Sequence, residues 1–288
     1  MSKDFEATSQ LEISRIVSMG WKDWSEEARF LRIPSQKLEK NIFFPQQAYD
    51  PNTTNEVASG VWAESRADVI LTEMNRNGID LLWEIGAGDG NVAIPLRKNG
   101  KTVIAVEPLR TGADSLANYG FITYFATLED LNLPSNVIRA VGMFDVLEHI
   151  EFPAEVLQEV KRILIPNGKI LITVPANKFL FSDFDISIGH FTRYSKSNLR
   201  KLLEDNDFKI DKIYYFFFLL VLPAIFLRAI PYRLGRRREF AMTANANKSQ
   251  GRIMRFLAPL LRAAFKIEAK LPLPTGLSLF VIASKIVK

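Results

Sequence analysis

Leu81-Leu82-Trp83-Glu84-Ile85-Gly86-Ala87-Gly88-Asp89-Gly90 is the stretch on which the fold turns: an apolar run of strand length breaks into G-x-G-x-G, and a helical stretch from Asn91 to Lys98 follows. Glycines tolerate positive φ and let a ligand come close to the backbone. Strand, glycine turn and helix in that order are the context a nucleotide-type loop requires. About twenty residues on, Glu107 ends a second apolar run, Thr102 to Val106. A carboxylate there can accept hydrogen bonds from both hydroxyls of a ribose. Glycine turns also end strands for purely structural reasons, so the loop gains its meaning from Glu107 in register with it.

Outward from this stretch the chain alternates short apolar runs with helical ones. Strands are expected at Leu81 to Ile85, Thr102 to Val106, Ile122 to Phe125, Ala140 to Phe144 and Lys169 to Val174, with later ones at Phe208 to Phe217 and Leu277 to Ser284. Helices are expected at Val61 to Asn77, Asn91 to Lys98, Arg110 to Asn118, Pro153 to Leu164 and Ser197 to Asn206. Such alternation builds right-handed crossover units and a parallel sheet, so the fold class is α/β with helices on both faces. Residues 1–60 read as a helical and irregular extension anchored by Trp21, Trp24, Phe30, Phe43 and Phe44, and residues 61–288 as the main domain, carrying an insertion at 218–275.

Composition narrows the function classes. With 48% hydrophobic and 24% charged residues the chain has the balance of a globular protein, not a disordered one. No cysteine is present, which removes disulfides, thiolate metal sites and cysteine nucleophiles. The two histidines, His149 and His190, leave little for a histidine-based cluster, and no metal is expected. The first twenty residues carry Lys3, Asp4, Glu6, Glu12 and Arg15 with no apolar core of signal-peptide length, so a cytoplasmic protein without a leader is expected.

Four blocks, Trp83 to Gly90, Val106-Glu107-Pro108, Phe144-Asp145-Val146-Leu147-Glu148-His149 and Arg162 to Ile170, resemble in content and order the class I S-adenosylmethionine-dependent methyltransferases, most closely the branch near the quinone-biosynthesis methyltransferases. The resemblance implies a Rossmann-like, seven-stranded, mostly parallel sheet with an antiparallel last strand and S-adenosylmethionine at the carboxyl ends of the first strands. It also implies cofactor contacts from Glu84, Gly86, Gly88, Gly90, Glu107, Thr127, Leu128 and Asp145. The segment Thr127-Leu128-Glu129 would lie near the adenine, although Phe125-Ala126 stands where the family often has an acidic residue. A nicotinamide dinucleotide is the competing ligand. Its sites favour G-x-G-x-x-G with the pyrophosphate on the helix N-terminus, and here Asp89 would stand against that pyrophosphate.

Asp145 ends the fourth strand, where polar side chains face the crevice. Glu148-His149 reads as a local turn element satisfying backbone groups. Gly189-His190-Phe191-Thr192-Arg193-Tyr194 follows the fifth strand and resembles a pattern of a bacterial subgroup, so His190, Arg193 and Tyr194 are expected to bind the acceptor, with His190 and Asp145 as the catalytic candidates. An imidazole titrates near working pH and can take a hydroxyl proton. A structural latch over the loop is the alternative.

Residues 211–288 carry a net charge of +11 and residues 1–210 a net charge of −6. Ile213 to Leu227 is fifteen residues without a charge, short of the roughly twenty that a spanning helix needs. Arg252, Arg255, Arg262, Lys266 and Lys270 share one side of a helical projection, with Ile253, Leu257, Leu260, Ala264, Ile267 and Leu271 opposite. Beside Arg233 and Arg236-Arg237-Arg238 this reads either as a basic helix for an anionic membrane surface or as a helix covering the sheet with its apolar face. Nucleic acid is not an expected partner, since no reading element accompanies the arginines. The expected activity is transfer of a methyl group to a small or lipid-linked acceptor, at oxygen, near the inner membrane surface. A noncatalytic membrane-associated scaffold and a nicotinamide oxidoreductase are the alternatives.

Overall fold

The computed structural model describes residues 2–21, 25–28, 31–33, 60–236, 252–268 and 271–287, without side chains at 2–4, 25–28, 33 and 252–258. Trp24, Phe30, Phe43, Phe44, Arg237, Arg238, Lys270 and the side chains of Arg252, Ile253, Arg255 and Leu257 therefore lie outside the described residues.

In chain order the strands are β1 (Ser25–Ala28), β2 (Leu31–Ile33), β3 (Leu81–Ile85), β4 (Thr102–Val106), β5 (Thr123–Tyr124), β6 (Ile138–Phe144), β7 (Leu164–Pro175), β8 (Phe208–Phe216) and β9 (Ser278–Lys285). They form one sheet in the order β1-β2-β5-β4-β3-β6-β7-β9-β8. The expected seven strands are all present, and β9 runs antiparallel to both neighbours, β7 and β8. Two short strands from the N-terminal segment lengthen the sheet at the far edge, where β2 pairs parallel with β5. No apolar alternation marks them, which is why that segment read as helical and irregular.

The helices that matter for the site are α1 (Ser2–Ser18), α2 (Val61–Arg76), α3 (Ala93–Lys98), α4 (Arg110–Asn118), α5 (Pro153–Ile163), α6 (Asp183–Ser187) and α7 (Lys196–Asp205). Local chemistry sets their ends. Pro153 opens α5, where its missing N–H costs nothing. Ser195 caps α7 by accepting from the Asn198 N–H at 3.1 Å. β4 is buried along its whole length, as expected for a central parallel strand covered on both faces.

One core layer holds Trp83 stacked on Tyr124 at 5.7 Å between centroids, with Trp21 5.6 Å from Tyr124 and Ile13 and Ile16 of α1 beside them. Trp21 also donates its indole N–H to the Leu131 carbonyl at 2.8 Å, which satisfies its one polar atom. The opposite layer packs α2, α3 and the aromatics Phe216, Phe217, Phe265 and Phe280.

After β8 the chain forms α8 (Val221–Ala224), a π turn (Ile225–Ala229), α9 (Ile230–Arg233) and then α10 (Arg252–Glu268). α10 turns its basic side to the domain, and not the apolar side that the sheet-covering reading expects. Its basic side chains Arg262 and Lys266 pair with Glu64 and Asp68 of α2, while Leu260 and Ile267 are exposed. Such half-exposed pairs contribute at most about 1 kcal/mol each. Burial of Phe265 against Trp62 and Phe217 contributes about 1.5–3 kcal/mol and decides the docking.

Candidate active site

The loops at the carboxyl ends of β3, β4, β5, β6 and β7 converge on a cavity of about 410 Å³. Its wall takes Gly86 from the turn after β3 and Glu107 after β4. Gly86, at φ +69°, donates its N–H to the Val106 carbonyl at 2.8 Å and so ties the turn to the end of β4. A Cβ at Gly86 would lie 2.8 Å from Cγ2 of Val146. Gly86→Ala is therefore expected to combine left-handed strain with that clash, costing about 1–3 kcal/mol. Thermal unfolding read beside cofactor titration checks it, and an unchanged Tm and affinity would show that the turn tolerates a side chain.

Glu107 is buried and bridges the two loops. Its Oε2 accepts from the Gly88 N–H at 2.6 Å and its Oε1 from the Leu109 N–H at 2.8 Å. Burial pushes its pKa up to about 7, against these two hydrogen bonds that favour the charged form. Gly112 of α4 makes room for this arrangement, since a Cβ there would sit 2.7 Å from the Gly88 oxygen and 3.0 Å from Glu107 Cγ. Nothing about Gly112 distinguishes it in the sequence. Burial also raises the Asp89 pKa to about 6, while its Oδ1 accepts from Asn91 at 2.6 Å.

Thr127, Leu128 and Asp145 also line the cavity, whereas Glu84, Gly88 and Gly90 do not. Glu84 lies buried inside β3 with Oε2 lacking a partner, and burial raises its pKa well above the ordinary carboxylate range. Thr127 Oγ1 donates to Asp130 Oδ2 at 2.5 Å. Asp145 adopts φ +56°, accepts from Thr173 Oγ1 at 2.9 Å and pairs with Arg66 of α2 at 2.6 Å. Its charge is thus already met from two sides. Arg66 comes from outside the four sequence blocks, so only the packing of α2 reveals it.

The imidazole on the cavity wall is His149, not His190. Burial, reinforced by the neighbouring His190, lowers the His149 pKa to about 4, which keeps this ring neutral at working pH. His190 stands behind it, ring centroids 4.7 Å apart, with its Nδ1 2.9 Å from Asp185 Oδ1. Arg193 donates from Nε to the same Asp185 oxygen at 2.8 Å and from Nη1 to the Ala176 carbonyl at 3.2 Å. Tyr194 donates its hydroxyl to the Leu147 carbonyl at 3.2 Å, and burial raises its pKa. Burial works against ionisation of Asp185, but His190 and Arg193 outweigh it and hold the carboxyl below its ordinary range. His190, Arg193 and Tyr194 thus brace the wall from behind. Phe152 and Phe191, both substantially exposed, line the mouth.

The residues present fit S-adenosylmethionine. A carboxylate stands at the end of β4, and the glycine turn leaves open the space that a Cβ at Gly86 would narrow against Val146.

Comparison with known proteins points the same way. A methyltransferase-domain family model matches residues 66–213. A protein of Mycolicibacterium smegmatis described as a probable S-adenosylmethionine-dependent methyltransferase is 30% identical over 139 residues, 46% of this chain and 53% of that protein. The chain thus spans about half the length of this curated relative. A putative sarcosine dimethylglycine methyltransferase of Galdieria sulphuraria superposes with a TM-score of 0.51 at 16% identity, covering 77% of this chain and 86% of that one. A methyltransferase of Thermotoga maritima, described as possibly acting on histamine nitrogen, gives 0.51 at 16% identity over 84% of this chain and all of the other. At that identity the two structures speak for the fold. With the glycine turn, Glu107 and the strand order in place, the chain belongs to the methyltransferase-domain family, and its domain is that of a Rossmann-like, S-adenosylmethionine-dependent methyltransferase.

Proposed function

We propose that this protein methylates an oxygen of a lipid-linked acceptor presented at an anionic membrane surface. The observation that carries the acceptor reading is the segment from Phe218 to Leu234. It is held to the domain through Val221, Ala224 and Ala229, yet leaves Leu222, Phe226 and Leu234 63%, 64% and 67% exposed. Exposed apolar side chains in one run, rimmed by charge, mark an interaction surface more than an ordinary solvent face. Arg233 and Arg236 flank the run, and the sequence continues with Arg237 and Arg238. No helix among the described residues is long and apolar enough to cross a membrane. The segment therefore fits interfacial contact, in which apolar side chains enter the headgroup boundary and arginines meet anionic lipid.

The segment is also fastened to the stretch that follows β7. Arg233 donates to the Phe179 carbonyl at 3.0 Å, Arg228 sits 4.3 Å over the Phe184 ring, and Ala224 and Ala229 pack on Leu180. The loop that carries His190 is thus fastened to the apolar surface. The resemblance to the quinone-biosynthesis branch supports the same acceptor class, one with a polar reacting ring or head and an apolar tail.

When bound, S-adenosylmethionine would supply a methyl group on a sulfonium, the new C–O bond forming as the S–C bond breaks with its electron pair going to sulfur and the hydroxyl proton leaving to solvent. The chain's part is alignment and exclusion of water. Glu107 and the glycine turn hold the ribose side, Thr127 and Leu128 the adenine side, and Arg66 fixes Asp145 between donor and acceptor spaces. His149 faces the acceptor, and the brace of Asp185, His190, Arg193 and Tyr194 fixes the wall behind it.

Binding to sedimented vesicles of anionic and neutral lipid tests the membrane reading. Leu222→Glu combined with Phe226→Glu is expected to lower partitioning onto anionic vesicles by at least about tenfold, as two charges replace two exposed apolar side chains that would enter the headgroup boundary. Equal partitioning of this variant and the wild type would overturn the membrane contact.

A further inference from the structure

Glu148 is completely buried, and neither of its carboxylate oxygens has a hydrogen-bond partner. A carboxylate removed from water without partners either gives up its charge or needs a cation beside it.

Two imidazoles flank this carboxylate, and their tautomers follow from what each ring meets. Asp185 Oδ1 can only accept from His190 Nδ1 at 2.9 Å, so the proton sits on Nδ1 and the Nε2 lone pair is directed toward Glu148 Oε1, 3.7 Å away. The Gly189 carbonyl oxygen, 3.1 Å from His149 Nδ1, likewise accepts and leaves the lone pair of that ring on Nε2. Metal-binding histidines pass their other N–H to a carboxylate or a backbone carbonyl in this way, which orients the ring and raises its basicity. One donor atom from each of Glu148, His149 and His190 lies within 4.8 Å of the others.

Resting on the methyltransferase reading above, we propose that Glu148, His149 and His190 form a site for a divalent first-row transition-metal ion at the acceptor side of the cavity. Two imidazoles and one carboxylate favour ions such as zinc, cobalt or manganese over magnesium and calcium, which take oxygen ligands. Metal–ligand bonds of about 2.0–2.2 Å hold neighbouring ligands roughly 3–4 Å apart, so the three side chains need only draw in slightly. Asp145 stays outside the set, since Arg66 and Thr173 already hold it.

Three protein ligands leave coordination positions open, and an acceptor would reach them past His149, the one of the three that lines the cavity. An acceptor hydroxyl bound there loses its proton to solvent at the cavity mouth, because the ion lowers its pKa. The resulting oxygen anion then forms the bond to the methyl carbon as the sulfonium S–C bond breaks, its electron pair passing to sulfur. The ion also gives the buried Glu148 carboxylate a direct partner, since neither of its oxygens has a hydrogen bond.

The full-length protein, stripped by chelator dialysis, is titrated with cobalt(II) while the visible spectrum is read, and with zinc by calorimetry. One equivalent of each is expected, cobalt with the d–d bands of a four- or five-coordinate ion. Glu148→Gln and His190→Ala should each weaken binding by at least about 100-fold, and Asp185→Asn by about 10–100-fold through the lost support of His190. Glu148→Gln is nearly isosteric, and its circular dichroism and Tm in chelator serve as the folding control. Zinc should raise the Tm of the wild type and not that of Glu148→Gln. Absence of stoichiometric cobalt or zinc binding, or equal affinity in wild type and Glu148→Gln, would overturn the site. Metal binding in a protein that fails to bind S-adenosylmethionine would support the site and remove the methyltransferase reading on which its catalytic role rests.

Discussion

Glu107→Ala should raise the Kd for S-adenosylmethionine by at least about 100-fold. Each hydrogen bond to a charged carboxylate contributes about 1.5–3 kcal/mol, and this side chain has two oxygens to offer a ribose. It also positions Gly88 and Leu109 through their N–H groups, so its loss loosens the turn along with the contact. Charge and shape separate in Glu107→Gln, which keeps the volume and replaces one acceptor oxygen by an amide NH2 that donates and cannot accept. That variant should fall between wild type and Glu107→Ala.

The same residue sets a pH dependence. Burial raises its pKa to about 7, so below that pH the free protein increasingly carries the neutral acid. The ionised form is the one that accepts two hydroxyl donors. Affinity is therefore constant well above pH 7 and weakens by roughly tenfold per pH unit as pH falls below it. Calorimetric titration at pH 8 and pH 6 reads this directly. An affinity unchanged between those values, or unaltered in Glu107→Ala, would remove Glu107 from the donor site.

Asp185→Ala should have the largest effect on stability. Asp185 is completely buried, and it holds His190 and Arg193 on one oxygen while its other oxygen accepts from the Ser182 N–H at 2.9 Å. Removing it leaves the Arg193 charge buried without a carboxylate. Loss of one partner of a buried pair costs about 3–5 kcal/mol, which corresponds to a Tm lower by on the order of 10 °C. Because the folded carboxyl lies below its ordinary value of 3.8, its contribution is full above that value and is lost as pH falls through the lower folded one. The acid limb of the wild-type Tm profile should accordingly flatten in the variant. A Tm shift under 2 °C would show that Arg193 is supported by other groups.

The exposed side of α10 shows where sequence periodicity stops being informative. Spacing placed its cations on one side and its aliphatic residues on the other, and both readings of that pattern turned the apolar side toward something, either a bilayer or the sheet. Packing put Arg262 and Lys266 against Glu64 and Asp68, and Phe265 against Trp62. The acidic side of α2 lies almost two hundred residues away in the chain, and no local pattern encodes that meeting.

His149 and His190 make the same point at the site. Glu148-His149 read as a local turn element and His190 as the candidate base, yet the turn Leu147–His149 carries its imidazole onto the cavity wall and His190 stands behind it. Forty-one residues separate the two rings along the chain.

By itself the sequence determined the alternation of strands and helices, the glycine turn with Glu107 in register and the antiparallel last strand that the family blocks imply. The first two depend on short-range terms, namely side-chain periodicity, the φ freedom of glycine and the length of apolar runs, whereas the antiparallel direction of the last strand came from the resemblance alone. Only the tertiary structure decided that β1 and β2 extend the sheet, that Arg66 meets Asp145, and that the half-buried His149 and His190 gather with the buried Glu148 and Asp185 in one cluster. Those depend on strand order and on which faces meet, where contacts between distant segments, and the burial they create, set both the geometry and the charge of each group.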